Sequence, residues 1–258
     1  MEKLLDEIES YWSTRTEGYS EVNHKELAGT QKNAWLKVLT SQFPDKPKEE
    51  IRILDIGTGP GFFPVILAEA GYHVDAVDYT EGMLEKAKEN AGELCRNIHF
   101  QRMDAQKLEF EDNTFDVVIS RNLTWNLEHP DVAYREWVRV LKVGGKLLNF
   151  DANWYGYLYE EEQRKAYEND RKNVENNSLD DHYLCTDIER MERIALQVPL
   201  SKIRRPEWDV KTLREAGLLG IRTDTEIWKT VWSEEERLNY QSTPMFMVTG
   251  VKPDHFLN

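Results

Sequence analysis

The sequence is poor in cysteine, in positive charge and in long apolar runs. Its two cysteines, Cys95 and Cys185, stand far apart and make neither a metal-ligand pair nor a redox pair. A metal site and a catalytic thiol therefore have no support, and a reducing compartment is expected. Lysine and arginine total 33 against 47 aspartates and glutamates, a net charge of −14. That argues against nucleic acid as the main partner, because gripping a phosphate backbone wants a basic face. An acidic balance is ordinary for a soluble cytoplasmic protein. No apolar stretch approaches the roughly 20 residues a membrane helix needs. The opening residues 1–7 are charged, without the apolar centre of a signal peptide. No repeat or low-complexity tract stands out. The expectation is a cytoplasmic chain with no nucleic acid and no membrane as partner. Its 258 residues suit one full α/β domain with a modest addition.

What the chain does have is a strand, a glycine turn and a helix over residues 51–70. Ile51, Ile53, Leu54 and Ile56 are nearly continuous, as in a strand buried on both faces. Gly57, Gly59 and Gly61 follow, with Thr58 and Pro60 between them. Val65 to Ala68 then give a helix a face to bury. A ligand can lie against bare backbone at the carboxyl end of such a strand. A dinucleotide fingerprint needs its third glycine at the sixth position, which here is Phe62, and no Gly-Lys-Ser/Thr of a P-loop follows. Asp55-x-Gly57-x-Gly59-x-Gly61 instead resembles the first motif of the class I S-adenosylmethionine-dependent methyltransferases. The resemblance implies a loop that wraps the methionyl and ribose parts of that cofactor.

Residues 72–78 read as the second strand, ending in Asp78, an acidic residue placed to accept hydrogen bonds from both ribose hydroxyls. Tyr79 falls near an adenine, Thr80 could cap the next helix, and Met83 could touch the adenine edge or pack the core. Residues 97–103 form the third strand, closed by Asp104-Ala105. In the resembling family an acidic residue followed by a small one here reads the adenine. Residues 115–120 are the fourth strand. The pair of blocks, Asp104-Ala105 and Phe115-Asp-Val-Val-Ile119, sits at the spacing of the ubiquinone-biosynthesis-like members of that family. "Arg-Val-Leu-Lys-Val-Gly-Gly-Lys-Leu" (residues 139–147) resembles their lead-in to the fifth strand, expected over 146–151.

The fourth strand ends in the expected floor of a reaction chamber. Arg121 could meet the cofactor's carboxylate or form a surface ion pair. Asn122, counted with the cofactor, and Asn126, counted with the substrate, could orient ligands. Trp125 could pack on a substrate. His129 and Asp151 are the candidate catalytic groups, His129 as a general base.

Two regions lie outside the motifs. Residues 1–43 read as two helices, with the polar stretch 13–20 between them. Tyr11 and Tyr19 would belong to a flap over the cofactor mouth, a cover that similar small-molecule methyltransferases carry. Residues 152–206 read as an inserted helical lid, with a capping box at Thr186-Asp-Ile-Glu189. Asn153, Trp154, Tyr155, Tyr157 and His182 are its candidate substrate residues, and residues 201–206 form a small basic patch. A helix over 208–217 and two strands over 218–228 and 245–251 close the domain, with the connection 230–241 a candidate border of the substrate mouth.

The resemblance, carried by residues 51–151 and by pattern over 207–252, implies an α/β fold: a Rossmann-like seven-stranded sheet with helices on both faces, made of a cofactor core (51–151) and a closing helix and hairpin (207–258); the N-terminal helical cover (1–50) and the lid (152–206) are read from the residues alone. It implies S-adenosyl-L-methionine as cofactor, S-adenosyl-L-homocysteine as product, and methyl transfer to an O, N, S or C atom of a small molecule by a monomer or homodimer. In-line displacement at an electrophilic methyl needs mainly alignment and dryness. The competing readings are a non-catalytic S-adenosylmethionine-binding module and a nicotinamide-dependent oxidoreductase.

Overall fold

A computed structural model describes residues 4–182 and 186–254, so Cys185 lies outside the described residues. Helix α1 (Leu4–Ala28) is unbroken, and α2 (Gln31–Thr40) follows it. The polar stretch 13–20, expected to separate two helices, is therefore helical. The physical reason is a change in the buried stripe. Ile8 and Tyr11 bury apolar side chains, then Thr16, Ser20, Asn23 and Glu26 bury polar ones at the same helical spacing. Most of these find partners. The Thr16 hydroxyl donates back to the Ser13 carbonyl, Ser20 Oγ accepts from Asn90 Nδ2, and Glu26 pairs with Arg121. The real break is at Gly29 and Thr30.

The motif region then alternates strand and helix: β1 (Arg52–Ile56), α3 (Phe62–Glu69), β2 (His73–Asp78), α4 (Glu81–Ala91), β3 (Ile98–Arg102), β4 (Phe115–Arg121), α5 (Pro130–Val140) and β5 (Leu141–Asp151). The insertion carries α6 (Glu161–Asn176) and α7 (Ile188–Ala195). After it come α8 (Glu207–Glu215), β6 (Leu219–Asp224), α9 (Trp228–Val231), α10 (Glu234–Asn239) and β7 (Phe246–Val251). The seven strands form one sheet in the order β3-β2-β1-β4-β5-β7-β6, with β7 antiparallel to both its neighbours. This is the Rossmann-like seven-stranded sheet expected from the motifs.

Local differences have local causes. β5 starts at Leu141, paired with Phe115, and reaches its main register at Lys146 through an irregularity at the Gly144-Gly145 turn. The expected strand 218–228 stops at Asp224, and Trp228 opens α9. The cap of α7 is Asp187, whose carboxylate accepts from the Arg190 N–H at 3.1 Å, not Thr186. A capping box does occur, at Ser233 and Glu236 in α10.

Both faces of the sheet are covered, which is why β1 and β4 read as continuous apolar runs. Leu54, Ile56, Val118 and Leu147 pack with Trp137 of α5 and Leu213 of α8. Ile53, Val117 and Ile119 pack with Trp35 and Leu39 of α2, Ile66 of α3 and Val231 of α9. A third cluster joins Ile8 and Tyr11 of α1 to Trp125, Tyr155 and the α7 residues Met191 and Ile194. It ties α1 and the insertion together over the carboxyl edge of the sheet. Among the described residues no helix is long and apolar enough to cross a membrane.

Candidate functional site

Strand order reverses between β1 and β4, and the crevice that such a reversal opens is where open α/β sheets take ligands. A cavity with about 820 Å³ of empty space, open solvent included, lies there. Its floor is built from four consecutive strand ends. Gly57 and Gly59 come from the β1 loop, Asp78, Tyr79 and Thr80 from β2, Asp104 and Ala105 from β3, and Arg121 and Asn122 from β4. Met83 of α4 joins the wall, and Ile8, Trp12 and Tyr19 of α1 form the roof. Most residues expected to hold the cofactor therefore meet in one place. Asn126, expected on the substrate side, also lines this cavity.

The β1 loop is shaped by close approaches. A Cβ at Gly57, where φ is +70°, would stand 2.7 Å from Leu123 Cδ2, so only glycine lets the loop pass the β4 loop. Gly61 does different work from that expected. It lines no described cavity, and a Cβ there would meet Ala87 Cβ at 3.0 Å. Its bareness seats α4 against the loop. Asp78 braces the same loop: Oδ2 accepts from the Gly59 N–H at 2.8 Å and Oδ1 from the Thr80 N–H at 2.9 Å. Burial pushes the Asp78 carboxyl above its ordinary value, against the pull of those N–H groups.

Behind the loop a recess of about 280 Å³ is bordered by Asp55, Thr58, Asn23, Tyr19 and Arg121. Asp55 is buried, and desolvation pushes its carboxyl up to about 7. Asn23 Nδ2 is buried with no hydrogen-bond partner. Arg121 is not the surface residue its alternative reading supposed. It donates to both Glu26 oxygens, at 2.7 and 3.0 Å, and its guanidinium lies 4.6 Å from the Phe62 ring centre and 5.1 Å from that of Phe63. A bidentate pair stacked on rings is characteristic arginine chemistry. Glu26 was not foreseen.

A second, larger cavity of about 1650 Å³ adjoins the first, and Trp12, Tyr19 and Asn122 border both. It collects Trp125, Trp154, Tyr155 and His182 from the expected substrate set. Tyr11, expected at the cofactor, lines this cavity instead. Tyr240 joins them from the connection before β7. His182 Nδ1 is 3.0 Å from the Tyr240 hydroxyl, and its Nε2 is 2.9 Å from a Glu235 oxygen.

Four expected site residues do other work. His129 is exposed at the start of α5, lines neither cavity, and offers its backbone N–H to Gln106 Oε1. Asp151 is wholly buried. It pairs with Arg205 at 2.7 Å and accepts from the Trp125 N–H and the Trp154 indole N–H. It positions cavity walls and lines neither cavity. Asn153 clasps the Arg205 backbone through both ends of its carboxamide, at 3.0 and 3.1 Å. The Tyr157 hydroxyl donates to Glu192 at 2.8 Å, and its ring stacks on Tyr167. The basic patch loses Arg205, which sits buried between Asp151 and Asp209.

The family described as methyltransferase domain matches residues 54–149. The match covers less than half of the chain. A demethylmenaquinone methyltransferase of Clavibacter sepedonicus is 39% identical over 97 residues, 38% of this chain and 39% of that protein. The chain spans about half or less of the length of the first curated relatives it matches. Among solved structures, phosphoethanolamine N-methyltransferase 2 of Haemonchus contortus, in complex with S-adenosyl-L-methionine, aligns with a TM-score of 0.62 at 20% identity over 86% of this chain and 53% of that one. A protein of Methanococcus maripaludis described as an S-adenosyl-L-methionine-dependent methyltransferase aligns at 0.62 and 19% identity over 95% of each chain. The alignments share the fold, and the matched residues 54–149 include the strand ends that floor the first cavity.

Proposed function

We propose that this protein transfers a methyl group from S-adenosyl-L-methionine to a small-molecule acceptor. The observation that carries the reading is the charge of the first cavity. Glu9, Asp78, Asp104 and Glu128 line it, and its basic residue, Arg121, is held by Glu26. A pyrophosphate would meet carboxylates there, which disfavours a nicotinamide dinucleotide. A nucleoside carrying a positive sulfur is drawn to the same lining.

The residues present fit that molecule. Asp78 lines the first cavity beside the Gly59 loop, where ribose hydroxyls would meet a carboxylate. Asp104 and Ala105 stand where an adenine edge would lie. The unpartnered Asn23 amide and Arg121 border the recess behind the loop, where a carboxylate end would be received. When bound, S-adenosyl-L-methionine supplies an electrophilic methyl carbon. The chain's own task is to align an acceptor across the boundary formed by Trp12, Tyr19 and Asn122, and to exclude water with the cover α1 and the lid 152–206. We read the partner as a small molecule rather than nucleic acid or a membrane, and the assembly as a monomer or homodimer.

Calorimetric titration with S-adenosyl-L-methionine, S-adenosyl-L-homocysteine and NAD tests the reading. Both sulfur nucleosides should bind and NAD should not; binding of NAD alone would overturn it. Incubating a cell extract with the protein and deuteriomethyl cofactor, followed by mass spectrometry, should show a labelled product. Binding without any labelled product would favour a non-catalytic module.

A further inference from the structure

We propose that the methyl acceptor is an amine, received as a cation against aromatic rings in the second cavity; this rests on the methyl-transfer reading above. The walls are unusual in kind. Tyr11, Trp12, Trp125, Trp154, Tyr155 and Tyr240 all line the cavity, whereas Val22 and Met191 are its aliphatic side chains among the described residues. A pocket selected only for greasiness would carry leucine, isoleucine and valine. Rings offer something aliphatics do not, a negative face that attracts cations.

The rings also stand at differing angles. Tyr11 and Trp12 are 85° apart, Trp154 and Tyr240 82°, and Trp125 and Tyr155 31°. Recognition of ammonium groups by aromatic cages uses rings presented from more than one direction. The ionised side chains of the lining are mixed in sign. Glu21, Asp180 and Asp181 stand with Arg15 and Lys25; Lys25 lies 3.8 Å from Asp180, and Asp181 pairs with Arg171 at 2.6 Å. The preference for a cation therefore rests on the rings.

Asn122 supplies the orientation. It borders both cavities, and its Oδ1 is buried without a hydrogen-bond partner. Its backbone φ of +57° lies in the left-handed region, which asparagine tolerates better than most residues. An acceptor N–H donating to Oδ1 would turn the nitrogen lone pair toward the first cavity. The step balances without a side-chain base. The ammonium releases one proton to water, and its lone pair forms the new N–C bond. The S–C bond breaks with both electrons staying on sulfur, and the positive charge passes to the methylated nitrogen.

The experiment compares choline with its neutral isostere 3,3-dimethylbutan-1-ol, each titrated into the full chain with and without saturating S-adenosyl-L-homocysteine. Tryptophan fluorescence and calorimetry report binding. Choline should bind at least tenfold more tightly than the isostere. Tyr155→Leu should cut that preference at least fivefold while homocysteine-nucleoside affinity stays within twofold. If Tyr155→Leu does not fold, Tyr240→Leu serves the same purpose. Equal or weaker binding of choline relative to the isostere, or no binding of either, overturns the amine proposal. Failure of the homocysteine nucleoside to bind instead strikes the methyl-transfer reading, and the titrations on the unloaded protein still decide the cage.

Discussion

Asp55 sits at the end of β1 with its carboxyl buried and pushed up to about 7 from an ordinary 3.8, chiefly by desolvation and further by Asp78. Between those two pH values the folded state binds more protons than the unfolded state. Stability therefore falls as pH rises from about 4 to about 7 and is level above that. A shift of about three units corresponds to roughly 4 kcal/mol. Asp55→Asn should remove this dependence, so thermal melts should show its margin over the parent growing from pH 4.5 to pH 7 and constant at pH 8. Asp78 makes a different prediction. Asp78→Ala removes the acceptor for ribose hydroxyls and the brace on the Gly59 and Thr80 N–H groups. Calorimetry should show cofactor affinity weakened by about 1–3 kcal/mol. Unchanged affinity would take Asp78 out of the site. Both aspartates could be placed at strand ends from the sequence, Asp55 just before the glycine loop and Asp78 at the end of the next strand. Glu26 was not, because a glutamate on a polar helix gives no sign that an arginine 95 residues onward will bury it.

At the scale of elements, legibility followed the source of each element's burial. β1 and β4 bury apolar side chains on both faces, and their runs announce it. The second half of α1 covers a polar cavity with polar side chains, so its periodicity was invisible to a search for an apolar stripe. The catalytic candidates fell for a related reason. His129 and Asp151 have suitable chemistry, but spacing along a chain does not say which way a side chain turns. The lid's attachment was equally hidden. Arg205 binds Asp151 at the end of β5 and Asp209 in α8, all three fully buried. Removing one partner of a buried pair leaves an uncompensated charge. Arg205→Ala should cost roughly 3–5 kcal/mol in denaturant unfolding, and it should perturb the fluorescence of Trp125 and Trp154, which Asp151 holds.

For the whole molecule, the seven-stranded sheet was implied by the resemblance of the glycine loop and the blocks after it, whereas the strand order and the reversal between β1 and β4 are set by the folded chain. The second cavity was legible in part, as the aromatics from Trp154, as Trp125 and His182, and as the connection 230–241, but not as one place, since its walls converge from α1, the β4 end, the insertion and the connection before β7. The acidic balance of the chain reappears as the lining of the first cavity.

Helix α1 now has a consequence of its own. Its first turns pack in the third apolar cluster, but from Thr16 on it buries a polar stripe, while the sheet beneath is sealed by two apolar layers. Segments that bury little apolar surface open at low cost without the remainder following. Deuterium should thus enter the amides of residues 12–26 well before those of β1 and β4, and added S-adenosyl-L-homocysteine should slow the first exchange and leave the second alone. A molecule so built breathes at its mouth while its floor stays shut.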